Sequence, residues 1–156
     1  MMKVHLIMSN RPQIMGAPVD TVTMEGSLEK INNCVANKEK LHIITINAEM
    51  IMLTKTDQEF FEILKNAGLL IPDGSGVVWA LRKQGIKVKK LAGVELSQKC
   101  VTDLPHKIFL FGASEDVIKT AYDKLRGLNG KSTIVGYRNG FFKEEDNESI
   151  IKEIND

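Results

Sequence analysis

Short apolar runs alternate with stretches of helical periodicity along the chain, and this alternation constrains the fold more than any other feature. The apolar runs are rich in β-branched residues and are bounded by turn residues, which is typical of buried strands. Strand–helix alternation predicts an α/β fold with a mostly parallel sheet flanked by helices. The predicted strands are KVHLIM (3–8), LHIITI (41–46), LLI (69–71), KIFLFG (107–112) and STIVGY (132–137).

The helical stretches between these strands have recognisable ends. Thr23 is placed to cap a helix on which Met24, Leu28, Ile31 and Val35 recur at helical spacing, and Gly85 is a typical helix stop. The further predicted helices are 48–66 with Phe60, Phe61 and Leu64 facing inward, 76–84, 95–102, 115–126 capped by Ser114, and 144–155. Because 156 residues is an ordinary domain length, we expect one Rossmann-like domain over residues 1–156.

Composition excludes several classes of function. The net charge of +1 provides no global field for binding nucleic acid, so we expect no such partner. No apolar run approaches the roughly 20 residues of a membrane span, and no signal-peptide cleavage site is visible. We therefore expect a cytoplasmic protein, or one that touches a membrane from the cytoplasmic side. Cys34 and Cys100 fit no metal or redox spacing and are expected to be small buried hydrophobic residues in a reducing compartment. The three histidines are isolated, which predicts no metal site, and we expect no cofactor.

The candidate site residues follow the predicted strands. In open α/β sheets, ligands bind at the carboxyl ends of the strands, where small residues let the backbone approach a ligand closely. Four strand ends consist of small or polar residues: Thr45 and Asn47, Asp73-Gly74-Ser75-Gly76, Gly112-Ala113-Ser114, and 136–140.

Asp73 stands out within the segment LIPDGSGVVW (70–79). On spacing alone, the commoner role of such an aspartate is to cap the helix that begins near Gly76. Its carboxylate could instead act as a general base at the mouth of the sheet, because an ionised carboxylate only accepts hydrogen bonds. Pro72 would then fix the entry angle, and Gly74 and Gly76 would clear space for a ligand.

The other candidates also have two interpretations. Thr45 and Asn47 could be turn residues or could bind a ligand by hydrogen bonds. The Gly112–Ser114 turn could simply link strand to helix, or it could present N–H groups to a phosphate. It lacks the third glycine of the dinucleotide fingerprint, as does GSGVVW, so a nicotinamide-dependent dehydrogenase is disfavoured. Five basic residues within 82–90 form a solvated face by default, and Lys90 is the best candidate among them for binding an anion.

Taken together, several segments resemble the TagA/WecG/CpsF family of bacterial glycosyltransferases (glycosyltransferase family 26). They occur in the family's order, at nearly its spacing, and cover almost the whole chain. The segments are IMGAPVDTVTM (14–24), TINAEMIM (45–52), LLIPDGSGVVWA (69–80), KLAGVEL (90–96), IFLFGAS (108–114) and IVGYRNGFF (134–142).

The resemblance implies an inverting, metal-independent transfer of N-acetylmannosamine, or a related sugar, from its UDP donor. The implied acceptor is a lipid-diphosphate-linked N-acetylglucosamine, in the synthesis of teichoic acid or other surface glycans. Metal independence agrees with the lack of an Asp-x-Asp pair in the sequence. Family members act at the inner face of the cytoplasmic membrane, which implies peripheral membrane contact. With this chemistry, Asp73 is the expected base, Gly74 and Gly76 are expected to clear space for a sugar ring, and Thr45 and Asn47 to hold sugar or acceptor groups. Lys90 and Gly112–Ser114 are the expected diphosphate contacts.

Two features depart from the family pattern. Lys90 stands where the family usually has arginine, so the charge is kept but the bidentate fork is lost. The chain ends at Asp156, whereas the family continues with a further strand, a Gly-x-Pro-Lys-Gln-Glu motif and a basic segment. We therefore expect a chain truncated at its C-terminal end, a two-fold homodimer and little activity. The alternative is a non-catalytic module that binds a nucleotide sugar or a partner.

Overall fold

The computed structural model describes residues 11–156, so the strand predicted at 3–8 lies outside the described residues. The chain divides into two compact units, the first reaching Leu96 and the second comprising Ser97–Asp156. The first unit contains β1 (Gln13–Ile14), β2 (Ala17–Pro18), α1 (Met24–Ala36), β3 (Ile43–Ile46), α2 (Ala48–Leu53), α3 (Gln58–Asn66), β4 (Leu69–Pro72), α4 (Ser75–Lys83) and the first turn of α5 (Gly93–Asp103).

Strand β4 is the centre of the first unit. It pairs in parallel with β3, in a register that runs from Ile43 opposite Leu69 to Ile46 opposite Pro72. On its other edge, the Asp20 backbone N–H donates to the Leu70 carbonyl (2.8 Å), and the Asp20 carboxylate accepts from the Leu70 N–H (2.7 Å). All four residues of β4 are buried. This strand can therefore hold the residues that follow it in a fixed position.

The helices of this unit bury their apolar faces around the strand pair. The core includes Ile46, Leu64 and Leu81, which have no exposed surface. Each such side chain contributes about 1.5–3 kcal/mol to the free energy of unfolding relative to an exposed one. Thr23 caps α1 as predicted, since its hydroxyl accepts from the Gly26 N–H at 3.1 Å.

The single helix predicted over 48–66 is wrong, because the structure interrupts it at 54–57. Asp57 starts a new helix there, since its carboxylate accepts from the Phe60 N–H at 2.8 Å. Leu64 is fully buried as predicted, and Phe60 packs partly buried against the core. Phe61 is half-buried, with the Lys65 ammonium 5.6 Å from its ring centroid.

The second unit contains the remainder of α5, β5 (Lys107–Phe111), α6 (Glu115–Arg126), β6 (Thr133–Arg138), a 3₁₀ turn (Glu144–Asp146) and α7 (Asn147–Asn155). Strands β5 and β6 are parallel, with a bulge between Ile108 and Phe109. The prediction that β5 is buried is wrong: its three central residues are half-buried, and Phe111 is 45% exposed. Helix α6 packs on the pair mainly through β6, which leaves β5 less covered.

Each unit thus consists of a parallel strand pair with flanking helices, which confirms the α/β class. The single domain stays a prediction. The helix predicted at 144–155 begins as the 3₁₀ turn, and of its apolar stripe Ile150 is buried while Ile151 and Ile154 are exposed. No helix within residues 11–156 has the length and apolar character needed to span a membrane.

Candidate functional site

The carboxyl ends of β3 and β4 bring Asn47 and Asp73 to the same edge of the strand pair. The Asp73 backbone N–H donates to the Ile46 carbonyl at 2.9 Å, so the residues that follow the two strands are neighbours. Asn47 is the N-cap of α2, and its side-chain oxygen accepts from the Met50 N–H at 2.9 Å. Asn47 therefore has a structural role, while its amide N–H₂ remains a possible hydrogen-bond donor to a ligand.

Asp73 does not cap the helix that follows it, so this structural interpretation is wrong. The N-cap of α4 is Gly74, at φ +87°, with no side-chain hydrogen bond. The Asp73 Oδ2 atom accepts instead from the backbone N–H of Gly93, the first residue of α5, at 3.3 Å. The half-buried carboxylate is therefore oriented by a helix that starts twenty residues further along the chain.

Gly93 also contacts Thr45, which lies on β3. A Cβ atom built on Gly93 would lie 2.6 Å from Thr45 Cγ2 and 3.3 Å from Thr45 Oγ1. Only glycine fits at that distance without displacing the threonine. Thr45, Asn47, Asp73 and Gly93 are called the strand-end cluster below.

Gly74, Ser75 and Gly76 place two more helix starts beside this cluster. A Cβ atom on Gly76 would lie 3.3 Å from Ala48 Cβ, so the first turns of α4 and α2 approach each other closely. Ser75 is exposed at the first position of α4. The N-termini of α2, α4 and α5 thus converge on one strand end, and their dipoles favour negative charge there. Only α4 has a first turn without an acidic residue, since α2 and α5 carry Glu49 and Glu95.

Lys90 approaches the same strand end from the segment 85–91. The Leu91 N–H donates to the Pro72 carbonyl at 3.2 Å, which puts the exposed Lys90 next to the residue that precedes Asp73. Lys90 also lines a groove of about 860 Å³, called the basic groove. Its lining residues are 21–25, Arg82, 85–91 and Glu95; Asp73 is not among them.

The predicted residues Gly112, Ala113 and Ser114 form a separate strand end in the second unit. Gly112 (φ +129°) and Ala113 (φ +59°) both have positive φ. The Gly112 N–H donates to the Arg138 carbonyl (3.0 Å), and the Gly140 N–H donates to the Ala113 carbonyl (2.9 Å). Ser114 is the N-cap of α6, as predicted, although its side chain makes no capping bond.

The charges around this second strand end disfavour a phosphate. Glu115 and Asp116 occupy the first turn of α6 and add negative charge at its N-terminus. Arg138 forms an ion pair with Glu153 at 2.7 Å. The Asn139 amide donates to Glu115 at 2.8 Å. This end is better suited to donors such as hydroxyl groups than to an anion.

Sequence reasoning missed two residues of the first unit. Gly93 was not predicted as a site residue, because it lies two residues before the helix predicted at 95–102, although a glycine just before a helix is a usable signal for close packing. Asp20 was not singled out at all. It forms an ion pair with Arg11 (Nε–Oδ1 2.8 Å), and Arg11 also donates to the carbonyls of Ala67 and Gly68. This network fixes the outer edge of β4.

Among residues 11–156, no three histidine, cysteine, aspartate or glutamate side chains are grouped to hold a metal ion. Cys34 and Cys100 are free thiols, and the prediction that they are buried is wrong, because both are only half-buried. Burial raises the pKa of Cys100, and the negative charge of Asp103 raises it further. Cys100 is therefore held as a thiol rather than as a reactive thiolate.

Comparison with known proteins supplies the context for this geometry. Residues 12–156 match the family described as "Glycosyl transferase WecG/TagA/CpsF family". Similar curated proteins include enzymes of Staphylococcus aureus strains NCTC 8325 / PS 47, COL and MRSA252, each named N-acetylglucosaminyldiphosphoundecaprenol N-acetyl-beta-D-mannosaminyltransferase. The identity is 30% over 148 residues, covering 90% of this chain and 57% of each relative. The chain thus spans little more than half the length of these relatives.

Proposed function

Because the chain belongs to the WecG/TagA/CpsF family of glycosyltransferases, we propose that it transfers N-acetylmannosamine, or a related sugar, from a UDP donor. The acceptor is a lipid-diphosphate-linked N-acetylglucosamine, the substrate class in the names of its relatives. The product belongs to teichoic acid or surface-glycan synthesis, and the protein works at the inner face of the cytoplasmic membrane. The observation that carries the proposal is the strand-end cluster, where a carboxylate lies beside three helix N-termini.

Asp73 acts as the general base in this proposal. The acceptor hydroxyl oxygen attacks the anomeric carbon, while the bond from that carbon to the UDP oxygen breaks with its electron pair. The hydroxyl proton passes to the Asp73 carboxylate. The Gly93 N–H holds Oδ2 in place at 3.3 Å, so the carboxyl group does not have to be reoriented during the reaction. A single displacement of this kind inverts the anomeric centre.

The departing UDP needs stabilisation of its charge. Helix N-termini and an adjacent cation supply such stabilisation without reorganisation at the moment of reaction. The starts of α2 and α4 and the side chain of Lys90 are the groups available at this strand end. Thr45 and Asn47 hold sugar hydroxyls by hydrogen bonds. We propose that these protein groups stabilise the diphosphate without a metal ion.

Turnover with UDP-N-acetylmannosamine and a short-chain lipid diphosphate carrying N-acetylglucosamine tests the proposal. Asp73→Asn keeps the shape and can still accept from the Gly93 N–H, so the variant should fold normally. Loss of the base should lower kcat by about 10²-fold or more. Asp57→Asn is the matched control, since Asp57 also accepts from a backbone N–H but lies outside the cluster. This control should retain kcat within a few-fold.

The contact between Asp73 and Gly93 also favours a second candidate, a non-catalytic module that binds a nucleotide sugar. In that case the carboxylate serves only to hold the start of α5. Tight binding of UDP-N-acetylmannosamine without turnover, unaffected by Asp73→Asn, would support this module. An active chain whose kcat is unchanged by Asp73→Asn would assign the base to another residue.

A further inference from the structure

The basic groove is a second feature of the first unit, and it is not explained by the strand-end cluster. It lies between the residues that lead into α1 (21–25) and the segment 85–91. Its volume of about 860 Å³ falls in the range of ligand pockets, roughly 300–1,000 Å³. Arg82 fixes one wall, because its guanidinium donates to the Val88 carbonyl at 3.2 Å.

The charge of the groove favours an anionic ligand. Four basic side chains line it against the two carboxylates of Glu25 and Glu95. Lys87, Lys89 and Lys90 are all exposed on the segment 85–91, so their ammonium groups can reach a ligand. Lysine ammonium groups bind phosphate as point charges, and three in four consecutive positions suit a ligand with more than one phosphate charge.

The remaining lining residues favour an anionic ligand that also carries an apolar group. Val22, Met24 and Ile86 are half-buried in the wall and present apolar surface to the groove. Among the described residues that line it, none has an aromatic ring or a side-chain amide. A nucleotide base would find no aromatic ring to stack on and no side-chain amide to pair with its edge among these residues, whereas an aliphatic chain needs only apolar surface.

The basic groove adjoins the proposed reaction centre at Lys90. Lys90 is common to the groove and to the surroundings of Asp73, through the hydrogen bond from the Leu91 N–H to the Pro72 carbonyl. A diphosphate held by Lys87 and Lys89 would leave its apolar chain in the groove and its sugar on the side of Lys90 and the strand-end cluster.

We infer that the basic groove binds the isoprenoid diphosphate part of the acceptor, with Lys87 and Lys89 on the diphosphate and Val22, Met24 and Ile86 on the first isoprene units. The inference rests on the proposed function for the identity of the ligand. It places the acceptor's lipid in the groove and leaves the nucleotide of the donor outside it.

Equilibrium binding of farnesyl diphosphate, inorganic diphosphate and UDP tests the inference without requiring turnover. Farnesyl diphosphate should bind at least about tenfold more tightly than inorganic diphosphate, because only it gains the apolar contacts. The double variant Lys87→Ala/Lys89→Ala should bind farnesyl diphosphate about tenfold or more less tightly than the parent. Ile86→Ser should lower the affinity for farnesyl diphosphate but not the affinity for inorganic diphosphate. UDP affinity should change less than about threefold in each variant, a difference of under 1 kcal/mol.

The matched control is Lys40→Ala/Lys124→Ala, which removes the same charge at exposed positions outside the groove. An equal loss of farnesyl diphosphate affinity in this control would reduce the effect to overall charge and overturn the inference. Equal affinities for farnesyl diphosphate and inorganic diphosphate would also overturn it, as would an equal loss of UDP affinity in Lys87→Ala/Lys89→Ala. Selective binding in a chain without turnover would support the groove while counting against the proposed reaction.

Discussion

The two strand ends of this molecule share an architecture but differ in chemistry. In each unit a parallel strand pair ends in a turn with a positive-φ glycine, Gly74 in the first and Gly112 in the second, and a helix follows. The first turn of α4 carries no acidic residue, whereas that of α6 carries Glu115 and Asp116. At both positions glycine is favoured by the positive φ rather than by close packing, because no atom lies within 4 Å of an added Cβ. The two ends therefore differ in the charges of the following helical turn rather than in the backbone of the turn.

The two ends also differ in how firmly they are held. Strand β4 is buried along its whole length, and the nearly buried ion pair of Asp20 with Arg11 fixes its outer edge. Strand β5 is half-exposed, and the corresponding ion pair, Arg138 with Glu153, is considerably more exposed. A rigid platform suits residues that must keep a reactive geometry, so the first strand end is the better place for chemistry.

The largest effect on stability is expected from the ion pairs. Asp20→Ala leaves the Leu70 N–H and the Arg11 guanidinium without their partner, and should lower the free energy of unfolding by about 2–4 kcal/mol. Glu153→Gln should cost less than about 1 kcal/mol, since an exposed pair is screened by solvent. Urea denaturation followed by circular dichroism measures both, and the fluorescence of Trp79 reports on the first unit. Equal losses of stability in the two variants would show that the two strand pairs are held equally firmly.

The next effect concerns the close contact of Gly93 with Thr45. Gly93→Ala forces a displacement of Thr45 and should lower the free energy of unfolding by about 1–3 kcal/mol. Thr45→Ser removes the clashing methyl group and should recover part of that loss in the double variant. Gly127→Ala in the second unit is the control. The nearest atom to its added Cβ, outside its chain neighbours, is the Lys124 carbonyl oxygen at 3.4 Å, so it should be nearly neutral. A Gly93→Ala variant as stable as the parent would show that the packing at the cluster is loose.

A smaller effect is expected for the affinity for UDP. Lys90→Ala should weaken UDP binding by about tenfold, because a charged contact to the diphosphate is lost. Lys90→Arg should keep or improve it, since the guanidinium can grip two phosphate oxygens. Lys143→Ala in the second unit should leave it unchanged. Isothermal titration calorimetry measures the UDP affinity of all three variants. An equal loss of affinity in Lys90→Ala and Lys143→Ala would show that the charges of the two units act equally on UDP.

The smallest effects should have opposite signs at the two strand ends. Ala113 has φ +59°, so Ala113→Gly relieves backbone strain and should raise the free energy of unfolding by up to about 1 kcal/mol. Gly74 has φ +87° and no atom within 4 Å of an added Cβ, so Gly74→Ala should lower it by about 1–2 kcal/mol through the backbone alone. The same urea titrations give both values. Changes of equal sign would show that neighbouring contacts, rather than φ, determine the cost.

Local patterns in the sequence predicted what local forces decide. The β-branched run at 41–46 became β3, Thr23 caps α1, and Gly85 follows α4 at φ +80°. The interruption between α2 and α3 was missed, although Asp57 is a usable capping signal, because the apolar periodicity continues on both sides of it. The hairpin of β1 and β2 was missed because its strands have only two residues each, too few to show alternation.

The candidate site was predicted in its residue types but not in its contacts. The rule that ligands bind at strand ends selected Thr45, Asn47 and Asp73, and the structure brings them together. The partner of Asp73 could not be predicted, because Gly93 lies twenty residues away and the nearer helix start was the obvious choice. The roles of the individual site residues and the two-fold dimer stay predictions.

The hydrogen bond from Gly93 to Asp73 also has a consequence for the order of folding. Other contacts in the same unit also join residues that are far apart in the sequence. Gly93 contacts Thr45, which is 48 residues away. Asp20 bonds to Leu70 at a separation of 50 residues, and Arg11 to Ala67 at a separation of 56. A contact between such distant residues closes a large loop, which costs conformational entropy. These contacts therefore form late in folding. Helices α1 and α3 can form early from local contacts alone. The strand-end cluster should be among the last parts to assemble, so recovery of ligand binding should lag behind recovery of helical circular dichroism during refolding.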